Sequence, residues 1–457
     1  MPSLPFIATD RRGRVPSALL LCHTCIVACT PTHEAPSTES TSSSTTGADS
    51  TNPFTSGAES TIPTTSGSTT GDLETGAAGT TPAASCPDGH VDDDELCDDG
   101  NAINGDGCNN DCQPSATQLW EYRPEERGTG HIDGISVDVD GSIVVGGRGS
   151  GVGAWVARFS AELVPQWQQN YGSTFGLARD VAVGEDRIYA VGSQYTDVDD
   201  HDLWVARLGA DGTLEWEDTV SSGVAPDWAT QAAVLDGDLV VTGLTDADKL
   251  WTRRYGADGS IKWTATEVLG TTYKNIYPQG PGLAITSDAV IVGYTGNDTI
   301  VAPELLVAYT LDGAPAWTTA LPNTYGYINA VAAVPGGDLA LASVDNFSAL
   351  TVRRVSGTNT IAWSSAGCVG DSARDIAVDS QGDIVVIGNG PGDKGTNIRL
   401  CKFAADGTLR WGKDIDGGLG SDFGYAVAIA PLDRIVAGGA VLTSPDNLDA
   451  WLAVFSP

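Results

Sequence analysis

Between positions 118 and 457 the apolar residues come in short alternating runs broken by Gly, Asp and Asn, and sustained helical spacing is rare. Alternation with period two puts one face of a strand against a core, so the pattern predicts an all-β chain. Three signatures recur in order, with a period of about 48 residues. The first is an apolar stretch, a short turn and a second β-rich stretch. Ile135-Ser-Val-Asp-Val-Asp-Gly-Ser-Ile-Val-Val-Gly-Gly147 and Ile376-Ala-Val-Asp-Ser-Gln-Gly-Asp-Ile-Val-Val-Ile-Gly388 show it. The second is the strand Leu203-Trp-Val-Ala-Arg-Leu208, echoed by Leu250-Trp-Thr-Arg-Arg-Tyr255. The third is an Asp-Gly turn leading to a Trp, as in Asp211-Gly-Thr-Leu-Glu-Trp216, Asp258-Gly-Ser-Ile-Lys-Trp263 and Asp406-Gly-Thr-Leu-Arg-Trp411.

The closing Trp stands at positions 120, 167, 216, 263, 317, 363 and 411. Asp-Gly between alternating strands predicts a hairpin with a primed turn, because that turn needs positive φ. Each unit therefore reads as four antiparallel strands, one blade of a propeller. The chain enters the repeat at its last strand, Gln118-Leu-Trp-Glu-Tyr122, and leaves after its third, Asp449-Ala-Trp-Leu-Ala-Val-Phe455. Complementary half-ends predict a seven-bladed β-propeller closed by the N-terminal strand, since closure removes exposed edges. The Gly-Thr-Leu-x-Trp pattern resembles the pyrroloquinoline-quinone-like repeat of bacterial propellers. That resemblance spans 118–457 and implies a fold shared by many functions. In quinone enzymes of that kind it further implies calcium ligands, a catalytic Asp and often a vicinal disulfide. None of these can be placed here. Cys368 and Cys401 are not adjacent, and Cys401 aligns with Ala206, which reads as a small buried side chain rather than a partner of Cys368.

Three segments precede the repeat. Arg11, Arg12 and Arg14 lead into an apolar run that ends Ile26-Val27-Ala28-Cys29. Basic, then apolar, then small residues read as a signal peptide over 1–28. The junction resembles the bacterial lipobox, which implies lipidation at Cys29 and a membrane anchor. Residues 30–85 hold 27 Ser or Thr and almost no large apolar side chains, so 29–85 is expected to be a disordered linker. Residues 86–112 carry Cys86, Cys97, Cys108 and Cys112. Four closely spaced Cys in an exported chain read as two disulfides, with three pairings open. The Cys97-Asp-Asp-Gly-Asn101 and Gly105-Asp-Gly-Cys108 cores resemble the four-cysteine repeat of exported myxobacterial proteins.

Charge narrows the function. With 24 basic against 59 acidic side chains, the net charge is -35, which excludes nucleic acid as a partner. Asp98, Asp99 and Asp106 are candidate calcium ligands, because the ion takes hard oxygens. The spacing is not that of an EF-hand, and the same residues are natural turn formers. Residues 118–457 contain only His131 and His201 and no nucleophile motif, so no catalytic residue is assigned. Arg158, Arg207, Arg254, Arg354 and Lys402 share one repeat position and read as structural. The loops at one end of the channel carry Tyr171, Trp228, Tyr273, Tyr277, Tyr325 and Phe423, candidates to stack a glycan or grip a peptide. The expected protein is a lipoprotein at the outer membrane or cell surface, binding an envelope polymer or protein. The alternative is a propeller enzyme, a quinone-dependent dehydrogenase or a carbohydrate-active lyase or hydrolase.

Overall fold

The computed structural model describes residues 86–457, apart from 93–94, 125–129, 150–152, 173–175, 185–186, 198–199, 224–225, 247–248, 269–280, 296–302, 346–348, 358–359, 369, 371 and 445–446. The side chains of 196–200, 323 and 325 are also outside the description. The leader, Cys29 and the Ser/Thr-rich stretch fall outside it too.

Seven blades of four antiparallel strands follow one another around a ring. Blades one to three occupy 131–171, 176–220 and 228–268, and blade six occupies 372–415. Blades four and five form one seven-stranded sheet, because the strand Pro315–Val334 runs on from the outer edge of one to the inner edge of the next. Blade seven takes three strands from 423–455, and Gln118–Tyr122 completes it by pairing antiparallel with Asn447–Phe455. Trp451 is fully buried there, and its indole donates to Glu121 Oε1 at 2.8 Å. The apolar positions of each strand pack between blades. Seven clusters of buried side chains result, such as Val385, Ile387 and Leu400 of blade six against Val427, Ile435 and Ala437 of blade seven.

At four junctions among the described residues the recurring Trp ties one blade to the next. Trp216 Nε1 donates to Ala257 O at 3.1 Å, Trp263 to Leu311 O at 3.0 Å and Trp363 to Ala405 O at 2.9 Å. Each acceptor precedes an Asp-Gly turn of the following blade. The repeat cations reach the same atoms, with Arg254 at 3.0 Å from Leu311 O and Arg354 at 2.9 Å from Ala405 O. A Cβ at Gly313 would lie 2.4 Å from Trp263, so the turn needs a residue without one. The turns differ from the primed hairpin expected. In Gly209-Ala-Asp-Gly212, Gly212 N donates to Gly209 O and only the closing Gly has positive φ. This is a type I turn ending in a left-handed Gly, with the register shift that such a bulge brings.

Blade seven has no such turn, because its third and fourth strands come from opposite ends of the repeat. The cysteine-rich module sits there instead. Disulfides join Cys86 to Cys112 and Cys97 to Cys108. Ala116 N donates to Pro457 O at 3.1 Å, and Asn109 Nδ2 donates to Ser456 Oγ at 3.3 Å. Asp106 lies 3.9 Å from Arg410 of blade six.

A third disulfide corrects the reading of Cys401. Cys401 is fully buried, as its alignment with Ala206 requires, but it is bonded to Cys368 in the loop that leaves blade five. Thirty-three positions separate the two in sequence, and only the docking of blade six on blade five brings them together. Replacing both by Ser is expected to lower stability by about 2–4 kcal/mol in urea unfolding, since the crosslink restricts the unfolded chain. An unchanged midpoint would show that the bond contributes nothing.

Candidate functional site

The inner strands surround a central channel, and one irregularity shapes its wall six times. The ladder skips a residue between Ile132 and Gly134, Ala178 and Asp180, Ala229 and Gln231, Ile328 and Ala330, Ala373 and Asp375, and Gly424 and Ala426. A bulge of this kind leaves one residue out of the pairing and re-aims its side chain. The six extra residues are Asp133, Arg179, Thr230, Asn329, Arg374 and Tyr425. All six line a cavity of about 1400 Å³.

A sequence signal for these bulges lies on the neighbouring strand. Gly147, Gly192, Gly243, Gly388 and Gly439 sit opposite five of them. A Cβ at Gly388 would stand 1.9 Å from Ser372 O, and one at Gly147 would stand 2.0 Å from His131 O. The displaced carbonyl occupies the space that a side chain would need.

After three of the bulges the following residue, Asp180, Gln231 or Asp375, reaches a backbone amide of the next blade. Asp180 accepts from Ala232 N at 2.8 Å, and Asp375 accepts from Val427 N at 2.9 Å. Burial pushes the Asp375 carboxyl up to about 6 against the pull of two backbone amides, and it lifts Asp180 well above the carboxylate range. These two acids therefore brace the blade interfaces while also lining the cavity.

The cavity wall carries arginines as well as acids. Arg148, Arg179 and Arg374 line the cavity with His131 and Asp133. His131 Nε2 lies 2.9 Å from Asp133 Oδ2. Burial disfavours the imidazolium, but the carboxylate outweighs it and raises the His131 pKa. Burial lowers the pKa of both Arg179 and Arg374, and Asp133 opposes it in each. Tyr425 is packed on three sides. His131 meets its ring edge-on at 5.7 Å, Phe423 stacks at 6.2 Å, and the Arg374 guanidinium lies 5.7 Å from its centre. Burial, then the Asp133 charge, pushes its hydroxyl up to about 12. Both histidines of 118–457 face this cavity, His201 beside Tyr195 with ring centres 3.6 Å apart.

The aromatic residues singled out in the loops divide. Trp228 lines the channel, and its Nε1 is buried without a hydrogen-bond acceptor among the described residues. Phe423 backs Tyr425. Tyr171 is buried, stacks on Trp204 and donates its hydroxyl to Gly212 O at 2.5 Å. Tyr325 lies in the strand Pro315–Val334 with its backbone opposite Pro303. Its side chain, and all of Tyr273 and Tyr277, lie outside the described residues.

The acids of the cysteine-rich module are engaged in turns. Asp98 accepts from Asp88 N at 2.8 Å, which with further backbone amides holds its pKa low. Asp99 accepts from Asn101 N at 3.2 Å, and Asp106 from Asn101 Nδ2 at 3.1 Å. Asp98 and Glu95 also lie near the sulfurs of Cys86 and Cys112. Those sulfurs are bonded to each other and offer no thiolate to a metal.

No family model matches the chain, and no curated protein matches it. Solved structures do. The WD40 β-propeller domain of Doa1 aligns with a TM-score of 0.52 at 13% identity, over 74% of this chain and 96% of that one. A catalytically inactive virginiamycin B lyase from Staphylococcus aureus, crystallised with quinupristin, aligns with a TM-score of 0.50 at 10% identity, over 72% and 97%. At such identities the likeness is one of fold. The chain is a seven-bladed propeller, an architecture that serves interaction modules and enzymes alike.

Proposed function

We propose that this chain is an exported, lipid-anchored binding protein whose propeller receives an envelope polymer or protein segment in its central channel. One observation carries the reading: six bulges aim Asp133, Arg179, Thr230, Asn329, Arg374 and Tyr425 into a single large cavity. Convergent polar groups in a roomy pocket are the usual form of a ligand site. Three disulfides agree with an oxidising compartment. The Ser/Thr-rich stretch supplies reach from a membrane, and Cys29 is the proposed anchor.

The test is a glycan and peptide array probed with the full-length protein. Saturable binding is expected, with Trp228→Ala weakening it about tenfold or more, as removal of a central aromatic commonly does. Binding untouched by any channel substitution would end the reading. For the anchor, Cys29→Ser is expected to move the protein from the membrane fraction to the soluble one.

A second reading, acid–base catalysis, draws on the pairing of His131 with Asp133. That contact orients an imidazole in the cavity wall and raises its basicity. Turnover of a bound ligand, abolished by His131→Asn with binding retained, would establish it.

A further inference from the structure

We infer that the cysteine-rich module is a redox-sensitive latch on the ring: it fills the place of the turn that blade seven lacks, and its two disulfides set whether Gln118–Tyr122 stays paired with Asn447–Phe455. The latch is independent of what the channel binds.

Blade six defines the place to be filled. In an earlier blade the repeat cation and the recurring Trp end on one carbonyl of the next blade's turn, as Arg254 and Trp263 do on Leu311 O. In blade six the same two positions are Lys402 and Trp411. Lys402 is buried and turns to Asp379 at 3.0 Å, and Trp411 Nε1 is buried with no acceptor among the described residues. The module's loop 104–107 reaches this spot. A Cβ on Gly105 would lie 2.1 Å from Lys402 Nζ and 3.2 Å from the carbonyl carbon of Pro457. Its φ is +82°, the value that Gly212 has where it packs on Trp167 of the blade before. The module thus presents to blade six the same left-handed Gly that a regular turn presents.

The same loop is tied to the closing strands. Asn109 Oδ1 accepts from Gly105 N at 2.8 Å, and Asn109 Nδ2 donates to Ser456 Oγ at 3.3 Å. Ser456 Oγ accepts from Thr117 N at 3.0 Å, and Ser456 N donates to Thr117 O at 2.8 Å. These bonds carry the ladder between Gln118–Tyr122 and Asn447–Phe455 on into the module. An outer strand held only by its own short ladder opens readily, so this anchor matters to closure. The module has little apolar burial to keep its shape, since Val91 and Leu96 are 60% and 69% exposed. Its two disulfides fix that shape instead.

Access decides which bonds a reductant meets. Cys86 and Cys97, one from each module disulfide, are partly exposed, whereas Cys368 and Cys401 are both buried. A dithiol therefore reaches the module first. It gives each bond two electrons and two protons, leaving two thiols on the chain and a cyclic disulfide on itself. The freed loop loses its shape, Asn109 leaves Ser456, and the outer strand of blade seven frays.

The experiment is hydrogen exchange on the full-length protein with and without dithiothreitol, with alkylation and peptide mapping of the cysteines released. Cys86, Cys97, Cys108 and Cys112 are expected to be released while Cys368 and Cys401 stay bonded. Exchange in Gln118–Tyr122, and in the amides of Asn447–Phe455 that face it, should then quicken about tenfold or more, with blades two and three unchanged. Cys97→Ser with Cys108→Ser should do the same without reductant. Asn109→Ala, which keeps both disulfides, should quicken exchange in the same strands to a smaller extent. Exchange there that stays unchanged once the module is reduced, or in the double variant, overturns the inference. So does exchange that quickens equally in every blade, because the disulfides would then staple the whole fold. Module disulfides that resist the dithiol, or release of Cys368 and Cys401 first, overturn it as well.

Discussion

Replacing Arg353 by Met is expected to lower stability by about 3–5 kcal/mol, because it leaves a buried carboxylate without its cation. Glu304 of blade four is fully buried, and Arg353 of blade five donates to its two oxygens at 2.8 and 2.9 Å. Burial already raises the Glu304 pKa, with Arg353 opposing it. Without Arg353 the folded pKa rises further above the unfolded value, so the penalty falls on the ionised folded form. The deficit is then full at pH above the raised folded pKa and shrinks as pH falls toward the ordinary glutamate range. Urea unfolding of the variant at neutral and mildly acid pH measures this. Glu304→Gln with Arg353→Met should recover most of the loss. A deficit that is small, or independent of pH, would show that the pair does not hold blades four and five together.

Gly388→Val should act on both stability and the site. Its Cβ would meet Ser372 O at 1.9 Å, a backbone atom that cannot swing aside as a side chain can. Forcing the inner strand of blade six away costs about 3 kcal/mol or more, at the upper end of overpacking effects. The bulge carrying Arg374 must shift with it, so binding in the channel should weaken even in protein that remains folded. Gly223 gives the contrast. Its φ is +80°, but nothing lies within 4 Å of the added carbon. Gly223→Ala should cost only the left-handed strain, about 1–2 kcal/mol. If the two variants unfold at the same urea concentration, the close approach beneath the bulge is not what constrains Gly388.

The blades were legible because their signals are local and repeated. Trp216 and Trp263 close their units in the same way, and the Asp-Gly turns before them sit where the preceding blade's Trp needs an acceptor. Closure by Gln118–Tyr122 followed from counting strands at the two ends. The channel was harder to read. Its ring changes chemistry from blade to blade, from Asp133 to Arg179 to Thr230, so a repeat alignment treats these positions as noise. The bulge also breaks the period-two rule that assigns a side chain to a face. Gly147, Gly192 and Gly388 marked the place, but each reads as a turn residue until the displaced carbonyl is seen. The Cys368–Cys401 bond was hidden for a different reason. It joins two blades, and no spacing within one repeat encodes which loop meets which strand.

Completing blade seven with residues from both ends of the repeat also sets an order of events. Glu121 meets Trp451 across 330 positions of sequence. Blades one to six can assemble from neighbouring hairpins as the chain emerges, each pairing segments close in sequence. The seventh cannot form until its final strand is available, because Gln118–Tyr122 has nothing to pair with before then. An incomplete chain would thus hold an open ring with two unsatisfied edges, and the last few residues would convert a string of hairpins into one cooperative unit. That delay keeps the chain pliable until its final strand is in place, and postpones the locking of the ring to the last step.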